Sequence, residues 1–140
     1  MGKVIYEAIF LNNEEINNIF LSIRGKTPLA NFPENYHVTT EFMPINTHEI
    51  WYGEKVDVHI IAYALQEVDI EDGNKTTNEG LKVELFSNNK EFNNYLNSRD
   101  LNYHITGSYK ELSRYTNNID FFKGKKLDIH VTGIYGAYYS

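Results

Sequence analysis

Twice along this chain a strand-like run gives way to an amphipathic helix and then to another strand, and that order limits the folds open to it. Residues 4–10 (VIYEAIF) are rich in β-formers. Asn12 or Asn13 can cap the helix that follows, with Glu14 and Glu15 in its first turn. Ile16, Ile19, Phe20 and Ile23 fall on one helical face, and Gly25 closes it. Residues 36–43 (YHVTTEFM) then alternate as a strand. In the second round, residues 80–86 (GLKVELF) read as a strand and Asn88 or Asn89 as a cap. Phe92, Tyr95 and Leu96 share a helical face, and residues 102–108 (NYHITGS) form the returning strand.

The remaining segments complete a sheet protein. Residues 55–66 (KVDVHIIAYALQ) predict a long strand, 68–79 an acidic hairpin loop around Gly73 and Asn74, and 126–135 a last strand whose end Gly133 and Gly136 weaken. Residues 44–53 form a loop carrying Trp51, and 109–122 are irregular or briefly helical. With 140 residues, 41% of them hydrophobic, and no linker or low-complexity stretch, residues 1–140 read as one domain. The predicted architecture is α+β and bilobal: two mainly antiparallel sheets, each backed by a helix, with a groove between the lobes.

Charge narrows the partners. A net charge of −6 with no basic face beyond the lysines at 123–126 argues against a grip on long nucleic acid and favours a small ligand. The absence of cysteine removes thiol nucleophiles, disulfides and thiolate metal sites. No run of apolar residues is long enough for a membrane span, and the N-terminal residues read as neither signal peptide nor anchor, so a cytoplasmic location is expected. Oligomeric state has no sequence signal.

The chemistry-bearing residues are two tripeptides of one type, His37-Val38-Thr39 and His104-Ile105-Thr106, each on a strand that follows an amphipathic helix. Strand alternation puts His37, Thr39 and Glu41 on one face, with Tyr36, Val38 and Phe42 on the other. It likewise groups His104, Thr106 and Ser108 opposite Tyr103 and Ile105. Two imidazoles converging in a groove suit phosphodiester cleavage. A neutral ring takes a proton from the attacking hydroxyl or water, and a protonated ring gives one to the leaving oxygen. Threonine hydroxyls can donate to the phosphate oxygens.

A third copy, His130-Val131-Thr132, lacks the preceding helix and is read as ordinary strand that could line the groove floor. His59 is read as a satisfied sheet histidine, His48 as a loop residue without signal, and Glu41 as a salt-bridging or solvated carboxylate. No HExxH-type spacing is present, so no metal site and no cofactor are expected. Among the aromatics, Tyr6 and Trp51 are candidates to stack a base, with Ser108 and Tyr109 as further substrate-binding candidates.

These motifs resemble the 2H phosphoesterase superfamily, which carries two His-x-Thr/Ser motifs on paired lobes. The segments HVTTEFMP (37–44), VDVHIIAYA (56–64), EGLKVEL (79–85) and YHITGS (103–108) are similar to cyclic phosphodiesterase domains of tRNA ligases and viral RNA-repair proteins. The resemblance implies a catalytic pair, His37 and His104, with Thr39 and Thr106 holding phosphate. The residue after each threonine, usually apolar in that family, is Thr40 and Gly107 here. The expected activity is metal-independent cleavage of a small cyclic or 2′–5′-linked signalling nucleotide, as in viral evasion of nucleotide-based immunity. Opening of 2′,3′-cyclic phosphates at RNA ends is the first alternative, and a nucleotide-binding module without turnover is the second.

Overall fold

A computed structural model describes residues 2–25, 28–99 and 102–140. The strands are β1 (Val4–Phe10), β2 (His37–Phe42), β3 (Lys55–Asp69), β4 (Lys75–Phe86), β5 (His104–Tyr109) and β6 (Lys125–Tyr139). The helices are α1 (Asn13–Arg24), between β1 and β2, and α2 (Lys90–Ser98), between β4 and β5.

Local chemistry sets the helix ends. The Asn12 side chain accepts the Glu15 N–H (2.9 Å), and the Asn89 side chain accepts that of Phe92 (3.1 Å). Gly25, at φ 61°, stops α1 in the left-handed conformation and donates its N–H to the Leu21 carbonyl. The acidic hairpin is tighter than the sequence predicts. Strand pairing persists to Asp69–Lys75, and Asp72 and Gly73 turn the chain with φ of 58° and 74°. Residues 44–53 contain one short 3₁₀ turn, Glu49–Trp51, and two more lie at Ser113–Asn118 and Phe121–Lys123.

The expectation of two sheets in two lobes, each backed by its own helix, is corrected by the strand pairing. All six strands form one antiparallel sheet in the order β2-β1-β6-β3-β4-β5. The cause is β6, which does not weaken at its glycines. Its first part pairs with β3 as far as Ile134, and from Ile134 to Tyr139 it pairs with β1, fusing the halves. Gly133 is what lets the chains close up there, since a Cβ would sit 2.4 Å from Ile9 Cγ2. The helices also share one core. Ile16 and Phe20 of α1 join Phe92 and Leu96 of α2, Ile9, Val38, Val58, Leu81 and Ile105 in a single cluster.

In a flat sheet of this order β2 and β5 would lie about 24 Å apart, from a strand spacing of ~4.8 Å. Instead their Cα atoms come within 8 Å. The sheet curls until its two edges nearly meet, and these edges are the two His-x-Thr strands.

Candidate active site

The curl creates a groove lined by His37, Thr39 and Tyr6 from one end of the sheet and by His104, Thr106 and Tyr109 from the other. Both motifs and two of the four candidate substrate-binding residues, Tyr6 and Tyr109, are thereby brought together.

Each histidine is held in the same way. His37 Nδ1 lies 3.1 Å from the Asn35 carbonyl oxygen, and His104 Nδ1 lies 2.7 Å from that of Asn102. A carbonyl oxygen only accepts, so Nδ1 carries the hydrogen in both rings. In the neutral form Nε2 is left with the lone pair, the nitrogen that can exchange a proton. Burial lowers the pKa of both imidazoles, and the carbonyl contacts oppose this in part. His104 is lowered further by Lys82, its cross-strand neighbour, and by His37 itself. A proton on one ring therefore disfavours a proton on the other.

The surroundings of the two rings differ. Tyr6 stacks on His37 at 4.8 Å between ring centres, and Tyr138 stacks on Tyr6 at 5.1 Å. His104 has polar company instead: Lys82 Nζ donates to Asn102 Oδ1 at 2.7 Å.

Both motif strands break their alternation immediately after the threonine. On β2, Ala8 faces Thr39 while Glu7 faces Glu41, so Thr40 is an extra, bulged residue. On β5, Gly80 faces Thr106 while Asn78 faces Tyr109, so one of Gly107 and Ser108 is extra. A one-residue bulge reverses every later side chain. This overturns two orientations read from strict alternation, those of Phe42 and Ser108. Phe42 pairs with Tyr6 on the groove face, whereas Glu41 turns to accept from Tyr95 Oη (2.9 Å) and Arg99 Nη1 (3.1 Å). Ser108 leaves the groove face, is buried, and donates both its N–H and its hydroxyl to Glu79 Oε1, each at 2.9 Å. Tyr109 takes the groove position that Ser108 was expected to hold.

A buried glutamate stands behind each bulge. Glu79 on β4 also accepts from the Tyr63 hydroxyl at 2.7 Å and pairs with Arg24 of α1. Glu7 on β1 accepts from the His48 backbone, the His48 ring and the Tyr52 hydroxyl, each at 2.7 Å. Burial pushes Glu7 up, but these hydrogen bonds outweigh it and hold the carboxyl below the usual range. Thr40 Oγ1 donates to the Glu7 carbonyl, tying the first bulge to the same residue.

Trp51 does not line the groove. It packs on Phe92 (5.2 Å) and Tyr95 (5.4 Å) and stacks with His48 (5.6 Å), so the candidate base-stacker is a half-buried residue packed against the core beneath α2. The groove also contains residues that the sequence did not single out, notably Arg99, Asn102, Arg114 and Asn117. Arg99 follows α2, and Arg114 lies in the Ser113–Asn118 turn, which packs against β4 where Asn78 Nδ2 donates to Thr116 Oγ1. No local pattern in either segment points to a groove.

Among the described residues no helix is long and apolar enough to cross a membrane. Comparison with family models, curated proteins and solved structures returns no match.

Proposed function

We propose that the chain is a phosphodiesterase of small nucleotides, acting in the cytoplasm by two-histidine acid–base catalysis. One observation carries this reading: two identically tethered His-x-Thr motifs, far apart in sequence, line a single groove. Burial lowers the pKa of both rings, and Lys82, across the strand pair from His104, adds a cation beside that ring alone, so we assign His104 the base role and His37 the acid role. His104 Nε2 takes the proton from the attacking water or ribose hydroxyl as its oxygen bonds to phosphorus. His37 Nε2 gives a proton to the oxygen whose bond to phosphorus breaks. Thr39 and Thr106 donate to the non-bridging oxygens, where negative charge grows. Tyr6, stacked between His37 and Tyr138, walls the groove beside the leaving nucleoside. Arg99, paired with Glu41, and Arg114, paired with Glu71, also line the groove and bring two guanidinium groups within reach of a small anion.

The test is cleavage in EDTA of a panel holding 2′,3′-cyclic mononucleotides, 2′–5′ oligoadenylate and cyclic di- and trinucleotides. We expect one class to be cut, and His37→Ala and His104→Ala each to lower kcat by about 10²–10⁴-fold. Selective opening of 2′,3′-cyclic phosphates would move the substrate to RNA ends. Binding without turnover would make the chain a nucleotide-sequestering module, and activity unchanged in both variants would end the two-histidine reading.

A further inference from the structure

A second group of histidines stands apart from the groove lining. His59 on β3 and His130 on β6 are cross-strand partners whose rings lie parallel, 4.1 Å between centres and 6° between planes. Asp128, two residues before His130 on the same strand, points its Oδ1 at both: 2.7 Å from His59 Nε2 and 3.8 Å from His130 Nε2. The far side of each ring meets another carboxylate. His130 Nδ1 is 2.9 Å from Asp57 Oδ2, and His59 Nδ1 is 3.6 Å from Glu84 Oε1.

We propose that His59, His130 and Asp128 form a binding site for a borderline divalent cation of the zinc type. The ligand atoms of these three residues lie within 4.8 Å of one another. Tetrahedral zinc with bonds near 2.05 Å needs donors roughly 3.3 Å apart and near each ring plane, so the two parallel rings must tilt toward each other and the donors close by up to about 1.5 Å to complete the set. Two imidazoles and one carboxylate match the donor preference of zinc and its neighbours, and not that of calcium or magnesium. The outer carboxylates strengthen the case. A metal-bound histidine typically donates its other N–H to an acceptor that fixes tautomer and ring orientation, and Asp57 stands at hydrogen-bond distance from His130 Nδ1, with Glu84 3.6 Å from His59 Nδ1. Three carboxylates around two imidazoles also leave an excess of negative charge that a dication neutralises. The side chains retain 30% exposure at His59, 56% at His130 and 83% at Asp128, so the site is open and water can complete the coordination. Sequence spacing hides it, because one ligand comes from β3 and the other two from β6.

The experiment is calorimetric titration of the untagged, EDTA-stripped full chain with zinc chloride, alongside its melting temperature. We expect one equivalent of zinc to bind and the melting temperature to rise. Asp128→Asn, at an exposed position, should weaken binding at least about tenfold, and Asp57→Asn should weaken it by a smaller factor. Imidazole resonances of His59 and His130 should shift on titration. The proposal fails if the chain takes up no zinc. It fails equally if zinc binding survives in a folded His59→Ala/His130→Ala double variant, or is abolished by His37→Ala instead. Phosphodiesterase turnover in EDTA is a separate readout, so either proposal can fall without the other.

Discussion

The two halves of the sheet that carry the motifs solve one problem with different side chains. In the β1–α1–β2 half the bulge after Thr39 is tied by a neutral bond, Thr40 Oγ1 to the Glu7 carbonyl, and the Glu7 carboxylate is spent on His48 and Tyr52. In the β4–α2–β5 half the Glu79 carboxylate itself clamps the bulge through Ser108 and is braced by Arg24. The histidines differ in step with this: His37 is walled by aromatic rings, His104 by Lys82 and Asn102. A histidine presented after a helix and before a bulge is thus common to both halves. The first surrounds it with stacking surface and the second with charge.

That contrast can be broken at three places. The largest effect belongs to Glu79→Gln, which removes a buried carboxylate that pairs with Arg24 and clamps Ser108. It should cost about 3–5 kcal/mol in denaturant unfolding, whereas Glu7→Gln, with partners that carry no obligate charge, should cost about 1–3 kcal/mol. Equal losses would mean that the clamps are equivalent. Next come the bulge residues. A Cβ at Gly107 would lie 2.7 Å from both Glu79 Oε1 and the Phe20 ring, so Gly107→Ala should destabilise by about 1–3 kcal/mol. Thr40→Ala, which loses one hydrogen bond, should cost about 1 kcal/mol, and melting curves of the pair decide the ranking.

The smallest effect is a shift along the pH axis. The proposed two-histidine reaction needs one protonated and one neutral imidazole, and the fold lowers both pKa values below 6.5. The kcat/KM profile of the free enzyme should therefore peak below pH 6.5 and fall as pH rises through the higher of the two values. Removing the neighbouring cation in Lys82→Met should raise the His104 value and move the low-pH limb upward by a fraction of a pH unit. The same linkage acts on stability. Each depressed imidazole contributes stability that is complete above pH 6.5 and declines as pH falls, because the unfolded chain takes up the proton first.

The pair His37/His104, both helices and their Asn and Gly caps were legible because they depend on short-range patterns. Alternation, by contrast, assumes an unbroken strand. It failed at Phe42 and Ser108, where a bulge after each threonine reverses the alternation. The single sheet was hidden because β6 divides its pairing between β1 and β3, a long-range choice that composition does not encode. Trp51 illustrates the same limit: a loop position gave no sign that α2 would cover it.

The curl of the sheet also bears on the protein's behaviour in a crowded solution. An antiparallel sheet with two free edges offers two rows of unpaired amides and carbonyls on which a second chain can stack. Here the edges are turned toward each other. Asn31, from the segment before β2, exchanges both backbone hydrogen bonds with Tyr109 on β5, at 3.0 and 2.8 Å. The geometry that assembles the groove thereby withholds its margins from strand-to-strand fibril growth, so an opening motion wide enough to part β2 from β5 would cost colloidal safety as well as the approach of the two histidines.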